Sequence, residues 1–204
     1  PKNLYYGWLI VYALAITETI SYGVLIYAFS VFITPMEAEF GWSRAEVTGA
    51  LSVATLISGI LAIPVGYWLD KHGARRLMTI GSIVASVLVF AWASADNLLA
   101  FYLIWVLIGV TMSAVLYEPA FVTVAKWFEH RRGRALTIIT FAAGFASTIF
   151  LPLTEWLNRT YGRHDAIMIL GAILLMTTVP LHGLILRRRP EDLGLVPDGG
   201  YVPQ

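Results

Sequence analysis

A chain of 204 residues in which 58% are hydrophobic and 13% charged, with mean hydropathy +0.72, falls well short of the roughly 25% charged residues of an ordinary soluble domain. It reads as an integral membrane protein. A formal net charge of +1 supplies no reason to expect nucleic acid, and the absence of cysteine excludes disulfides, thiolate chemistry and sulfur-ligated metals together.

Pro1-Lys2-Asn3 leads straight into an apolar stretch of spanning length, so no cleavable signal peptide is expected and Pro1 is read as having lost an initiator. Measured against the ~20 residues that cross a bilayer, the apolar runs predict six transmembrane helices, at about 7–33, 44–69, 77–95, 98–125, 133–157 and 165–186. With the first residues inside, the cytoplasmic segments hold Lys2, then Lys71, Arg75 and Arg76, then Lys126, Arg131, Arg132 and Arg134, and finally Arg187, Arg188 and Arg189. The outer segments hold Arg44, Arg159 and Arg163. Eleven cations against three set both termini in the cytoplasm, and a bacterial inner membrane is the expected location.

Within the spans, Tyr5, Tyr6, Trp8 and Trp42 read as interfacial belt residues. Glu18 lies ~16 Å from the inner end of the first span and Glu118 ~12 Å from the inner end of the fourth, at comparable depth. Intramembrane carboxylates are costly and carry protons in transporters; the competing reading is that each bonds a neighbour such as Thr17, Thr19 or Tyr22 and only ties helices together. Glu18, Tyr22, Tyr117 and Glu118 are expected on one cavity-lining face. Pro119 frees the Val115 carbonyl beside Glu118 and predicts a kink there, with Pro64, Pro152 and Pro180 acting alike in other spans. His182 reads as a packing or interfacial residue with the capacity to titrate. Gly23, Ser52, Ser58, Gly59, Gly81, Ser82, Ser86, Gly109, Ser113 and the small residues of 142–147 read as surfaces for close helix packing.

The densest charge is in Gly66-Tyr67-Trp68-Leu69-Asp70-Lys71-His72-Gly73-Ala74-Arg75-Arg76, a turn between the second and third spans. Offsetting the chain by 88 residues lays Pro64, Trp68, Leu69, Asp70 and Lys71 on Pro152, Trp156, Leu157, Asn158 and Arg159, with Gly73 or Gly162 shortly after. Two three-span units, about 7–95 and 98–186, therefore read as a duplication. An odd number of spans per unit inverts the second copy in the bilayer.

Those eleven residues match the loop signature G-x-x-x-D-[RK]-x-G-x-[RK]-[RK] at Gly66, Asp70, Lys71, Gly73, Arg75 and Arg76. On this signature the chain resembles the N-terminal six-helix half of the major facilitator superfamily. Trp127-Phe128 with Arg131-Arg132-Gly133 and Ala135 is similar to the start of the fifth helix in its monocarboxylate and oxalate/formate porters, with Gly144 two residues late. Residues 190–204, beginning Pro190-Glu191-Asp192-Leu193-Gly194, resemble the start of the central cytoplasmic loop. Trp105 stands where proton-coupled drug antiporters of the superfamily carry an arginine, which argues against that activity.

The resemblance implies an all-α membrane protein with six transmembrane helices as two inverted three-helix repeats, half of a major facilitator fold, in residues 1–189, followed by a cytoplasmic tail. It implies a secondary transporter for a small organic anion such as a monocarboxylate, proton-coupled, working by alternating access, with Glu18, Tyr22, Tyr117 and Glu118 on the substrate and proton path. Asp70 and Arg75 would gate the cytoplasmic side, and Arg131 and Arg134 of the second basic loop would anchor that loop or attract the anion. No cofactor, metal or enzymatic chemistry is expected. The superfamily pairs two halves, so the chain is expected to homodimerise, to await a second half, or to be a fragment. The alternative from another class is a membrane scaffold or sensor that does not transport.

Overall fold

The computed structural model describes residues 5–199; Lys2 and the end of the tail, 200–204, lie outside the described residues. The described chain is all-helical. Helix α1 (Tyr6–Tyr22) passes through a π-helical stretch, Gly23–Tyr27, into α2 (Ala28–Phe40), which stops at Gly41 in the left-handed conformation. Helix α3 (Arg44–His72) opens on a capping box in which the Ser43 hydroxyl accepts from the Glu46 N–H and the Glu46 carboxylate accepts from the Ser43 N–H. Helix α4 (Ala74–Ala93) follows after one residue. Helix α5 (Leu98–Val115), capped by the Asn97 side chain, breaks at Leu116 (φ −92°, ψ −158°) before α6 (Tyr117–Trp127). Helix α7 (Arg132–Gly144) bends at Phe145 into α8 (Ala146–Pro180), which ends in a second π-helical turn, Leu181–Ile185.

Five segments are long and apolar enough to cross a bilayer: Tyr6–Phe40, Arg44–His72, Ala74–Ala93, Leu98–Trp127 and Arg132–Ile185. The last is a special case. Its 54 residues would extend ~81 Å as one helix, against a hydrocarbon core of ~30 Å. At Gly162 its backbone leaves the helix (φ 82°, ψ 169°), nearly the conformation of Gly73 between α3 and α4 (φ 78°, ψ 169°). Both angles lie where an L side chain is strained, so glycine is what permits each turn. Both ends of the segment lie beside the start of α1. The Arg134 guanidinium sits over the Trp8 ring at 5.5 Å, and the Tyr6 hydroxyl donates to the Ile185 carbonyl at 2.8 Å. Its middle lies at the far end, where Arg163 meets Glu39 and the Ala93 carbonyl.

The two ends differ in charge. At the far end Arg44 pairs with Glu37 (3.2 Å), Arg159 with Glu155 (2.6 Å) and Arg163 with Glu39 (2.6 Å). At the near end, which also holds both described chain ends through the Tyr5 and Val196 contact, the ion pairs among the described residues are Lys126 with Asp70 (3.8 Å) and His130 with Asp198 (3.2 Å). Most of the Lys and Arg there, Arg75, Arg76, Arg131 and Arg132 among them, form no ion pair among the described residues.

Apolar packing forms two clusters. One holds Phe29, Phe32, Trp92, Phe101 and Trp105, with Phe29 edge-on to Trp105 at 4.6 Å and Trp92 to Trp105 at 5.1 Å. The other, at the basic end, joins Tyr5, Tyr6 and Trp8 to Trp127 and Phe128. These three aromatics pack against Trp127 at the end of α6 and Phe128 just after it, and Trp42 stacks on Phe40 at 4.6 Å. The small residues also divide. Gly23 lies under Phe150, Gly81 under Val115 and Gly109 on the Ala54 backbone, whereas Gly59 and Gly144 face open space and Ser52 is exposed.

A Cβ at Gly109 would fall 2.5 Å from the Ala54 carbonyl oxygen and 2.7 Å from its Cα, both backbone atoms that cannot step aside. Gly109→Ala should destabilise the bundle by about 1–3 kcal/mol, whereas Gly59→Ala should be neutral or slightly stabilising. Unfolding midpoints in detergent compare the two, and equal midpoints would refute this packing of α3 on α5.

Candidate functional site

Three of the helical segments are interrupted along their length, at Gly23–Tyr27, Leu116 and Phe145, and polar residues gather at the first two. The π-helical stretch begins directly after Tyr22, one turn beyond Glu18; such bulges recur at functional sites because they re-aim side chains out of helical register. The ring of Phe150 lies against Gly23 at the start of the bulge. In the fourth segment Pro119 cannot supply the N–H that the Val115 carbonyl would accept, and the helix parts at Leu116, as the kink reading predicts. Tyr117 and Glu118 thus occupy the first turn of α6, where an acid is favoured by the helix dipole.

The breaks bring these residues together. The Tyr22 and Tyr117 rings lie 4.7 Å apart, and Tyr117 stacks on Phe121 at 5.0 Å. Glu18 lies one helical turn before Tyr22, and Glu118 directly follows Tyr117. One expectation is corrected. Glu18 is not on the open face but 0% exposed, inside the bundle, while Tyr22 and Tyr117 are half-buried and Glu118 is exposed.

Neither oxygen of the Glu18 carboxyl has a hydrogen-bond partner among the described residues. The hydroxyls that sequence offered as partners are engaged elsewhere: Thr17 donates to the Leu14 carbonyl at 3.2 Å and Thr19 to the Ala15 carbonyl at 2.7 Å. The buried hydroxyls of Ser21 and Thr154 are also unpartnered. A carboxyl held this way is not tying helices together among the described residues, since a tie would be a bond.

At the basic end the signature turn is built into the bundle by its own charges. Lys126 donates to the Leu69 carbonyl at 2.7 Å and pairs with Asp70 at 3.8 Å, so α6 is fastened to the end of α3. The Asp70 side chain remains 73% exposed. Arg75 donates from Nε to the Gly183 carbonyl at 2.7 Å, and Arg188 lies across Gly73 and donates to the Lys71 carbonyl. Lys71 and Arg76 are exposed, and Gly66 faces open space. Arg131 and Arg134 line a cavity of about 200 Å³ with Trp8, Tyr12 and Ile138. His182 is buried, with Nδ1 2.9 Å from the Ser82 hydroxyl.

One residue that the sequence reading passed over holds the tail. The Asp198 carboxylate accepts from the backbone N–H groups of Glu129, His130 and Arg131 at 3.0, 2.7 and 3.1 Å, a cradle of consecutive donors. Burial works to raise its pKa, but these N–H groups and the His130 ring outweigh that and hold it below the usual carboxylate range. Tyr5 joins the same clasp, its hydroxyl donating to the Trp127 carbonyl at 2.9 Å with the Val196 carbonyl at 3.2 Å. Burial, then the charges of Asp198 and Glu191, push its pKa up to about 12, so it stays a donor. The sequence signal for the clasp is Pro197-Asp198-Gly199, which announces a turn but not its target.

The profile of the Major Facilitator Superfamily matches residues 14–200. Human monocarboxylate transporter 11 is 31% identical over 187 residues, covering 91% of this chain and 39% of that protein. The mouse monocarboxylate transporter 11 is 30% identical over 180 residues, 87% of this chain and 40% of that protein. An uncharacterized MFS-type transporter of Bacillus subtilis is 26% identical over 157 residues, 76% of this chain and 38% of the other. The chain therefore spans about two fifths of the length of these curated relatives.

The clasp has a definite pH response. The Asp198 pKa is lower docked than free, so its contribution is present above the ordinary carboxylate range and lost as pH falls through the docked value. Asp198→Ala should release the tail at neutral pH, with a loss of about 1–3 kcal/mol. Limited proteolysis within 190–199 reads this. Cleavage at pH 7 should be fast in the variant and slow in the native chain, and equal rates would contradict the clasp.

Proposed function

The chain belongs to the Major Facilitator Superfamily, and on that premise we propose that it forms one six-helix half of a secondary transporter, moving a small organic anion with a proton by alternating access. The printed names of its relatives make a monocarboxylate the favoured cargo. The protein is a membrane transporter by family, not an enzyme.

The six spans are residues 6–40, 44–72, 74–93, 98–127, 132–161 and 163–185, the last two joined by the turn at Gly162. They form two inverted three-helix repeats within a bundle covering 1–189, with 190–204 as a tail. The matching backbone at Gly73 and Gly162, each following P-x-x-x-W-L-[DN]-[KR], supports this reading, as does the return of the Arg132–Ile185 segment to the end where it starts. The charge asymmetry supports a cytoplasmic location for the basic end and both termini; in a bacterium the membrane would be the inner one. A second six-helix half, by preference an identical chain, would cover the exposed Tyr12, Ile16 and Glu118.

The buried, unpartnered carboxyl of Glu18 carries the proposal. An orphaned carboxyl in an apolar interior is expensive, and a site that must load and release a proton accounts for the cost. Tyr22 and Tyr117 flank the path from it to Glu118, and the tyrosine hydroxyls and the cavity at Arg131 and Arg134 suit a carboxylate substrate. The exposed Asp70, with Arg75 anchored to Gly183, suits a gate that closes on the opposite half.

The test is uptake of labelled small carboxylates into proteoliposomes holding this chain, with an inward proton gradient. Gradient-driven uptake is expected, and Glu18→Gln should lower it by at least about tenfold with helicity and assembly unchanged. A folded Glu18→Gln protein that still responds fully to the gradient would overturn the proton role. A variant that merely fails to assemble would mark Glu18 as structural.

A further inference from the structure

Where α3 ends, α4 begins and the segment after Gly162 ends, Lys71, Arg75, Arg76, Arg187 and Arg188 surround a cavity of about 360 Å³ whose lining includes a single acid, Asp192. Helix α4 begins at this cavity, with no side-chain cap and no acid in its first turn, and Arg75 and Arg76 stand at its positive dipole end. Cations at a helix N-terminus oppose the dipole, so the arrangement is electrostatically unfavourable unless an anion completes it. A second cavity of about 410 Å³ shares Arg75 and Arg76 and runs on along Thr79, Ile80 and Gly183. It is an apolar groove on the outside of the bundle, flanked by Ile80 and Leu184, which are 61% and 69% exposed. Gly183, with its nearest non-local neighbour 3.6 Å from a built Cβ, leaves a notch where any other residue would fill the groove.

We propose that this pair of cavities is a binding site for an anionic phospholipid, with the headgroup phosphate among Lys71, Arg75, Arg76, Arg187 and Arg188 and an acyl chain along the Ile80 and Gly183 groove. Charge and shape commit it to that occupant. A soluble anion has no use for an apolar groove, and a zwitterionic lipid brings an ammonium into a cluster of five cations. The site lies on α4 and the chain after Gly162, away from the Glu18 neighbourhood, and is independent of which cargo the protein carries. Since Arg75 also holds the Gly183 carbonyl and Arg188 the Lys71 carbonyl, a bound lipid would reinforce the packing of the signature turn against the end of the last span.

Native mass spectrometry of the purified chain in detergent tests this with dioleoylphosphatidylglycerol, dioleoylphosphatidylcholine and inorganic phosphate as probes. The phosphatidylglycerol should be retained and the phosphatidylcholine, with the same acyl chains, should not. Lys71 and Arg76 have no side-chain partner among the described residues, so Lys71→Gln/Arg76→Gln should fold normally and weaken retention by about tenfold or more; Arg76→Glu alone serves if the double variant does not fold. Arg159→Gln at the opposite end should change nothing. Equal retention of the two lipids, or unchanged retention in the folded variants, would overturn the site. Inorganic phosphate binding as tightly as the lipid would overturn the lipid assignment in favour of a soluble anion.

Discussion

The constraint beneath this structure is that a polar group inside a bilayer has no water to fall back on, so it must be bonded within the protein or be reserved for a task. Helices meet the constraint for the backbone by pairing each N–H with a carbonyl one turn away. Several departures from that pairing have a reason in the sequence, glycine at 73 and 162 for a turn and Pro119 for the parting at Leu116, while the π-helical stretches and the bend at Phe145 carry no such single-residue signal. Side-chain hydroxyls in the spans mostly obey the same rule, with Thr17, Thr19, Thr111, Ser113, Thr123 and Thr178 each donating to a carbonyl one turn back. Against that background a fully buried carboxyl with no partner among the described residues demands more explanation than the unpartnered Ser21 and Thr154 hydroxyls, and the proposed proton transfer provides one.

The same economy shapes the two ends. At the far end Arg44, Arg159 and Arg163 are each matched with a carboxylate, and Glu46, Asp96 and Asp165 leave that end acidic rather than basic. The basic end keeps its charge. Its few carboxylates are spent on structure: Asp70 fastens Lys126, and Asp198 settles into the N–H cradle at Glu129, His130 and Arg131. What is left over is a positive field of the kind that the proposed orientation, the proposed anionic cargo near Arg131 and Arg134 and the proposed lipid near Arg76 would each use.

How far the fold could be read in advance depended on the range of the interaction. Helical segments are local, and the apolar runs located them within a few residues, except that the last two expected spans form one segment, Arg132–Ile185, turned at Gly162, and that α2 continues past residue 33 through Pro35 to Phe40, where Glu37 and Glu39 lie beyond the apolar run yet the helix persists to its glycine cap. The parting at Leu116 was legible from Pro119; the π-helical stretch was not, since Gly23 alone does not signal one. Glu18 was visible as a carboxylate in an apolar helix, but not the direction it faces, because α1 is apolar on nearly all sides and its periodicity names no inner face. The packing of Tyr5, Tyr6 and Trp8 was not legible, because sequence cannot see Trp127 and Phe128 more than a hundred residues away. Asp198 was missed for the same reason, its donors lying 67 to 69 residues back along the chain.

The claim on which the rest turns is that Glu18 exchanges a proton in step with the substrate. Addition of a small carboxylate to the purified protein in weakly buffered detergent, followed with a pH-indicator dye, measures that directly. The account predicts uptake of about one proton per carboxylate bound, abolished in Glu18→Gln and retained in Arg159→Gln. Substrate binding with no proton change, or with the same change in Glu18→Gln, would contradict it.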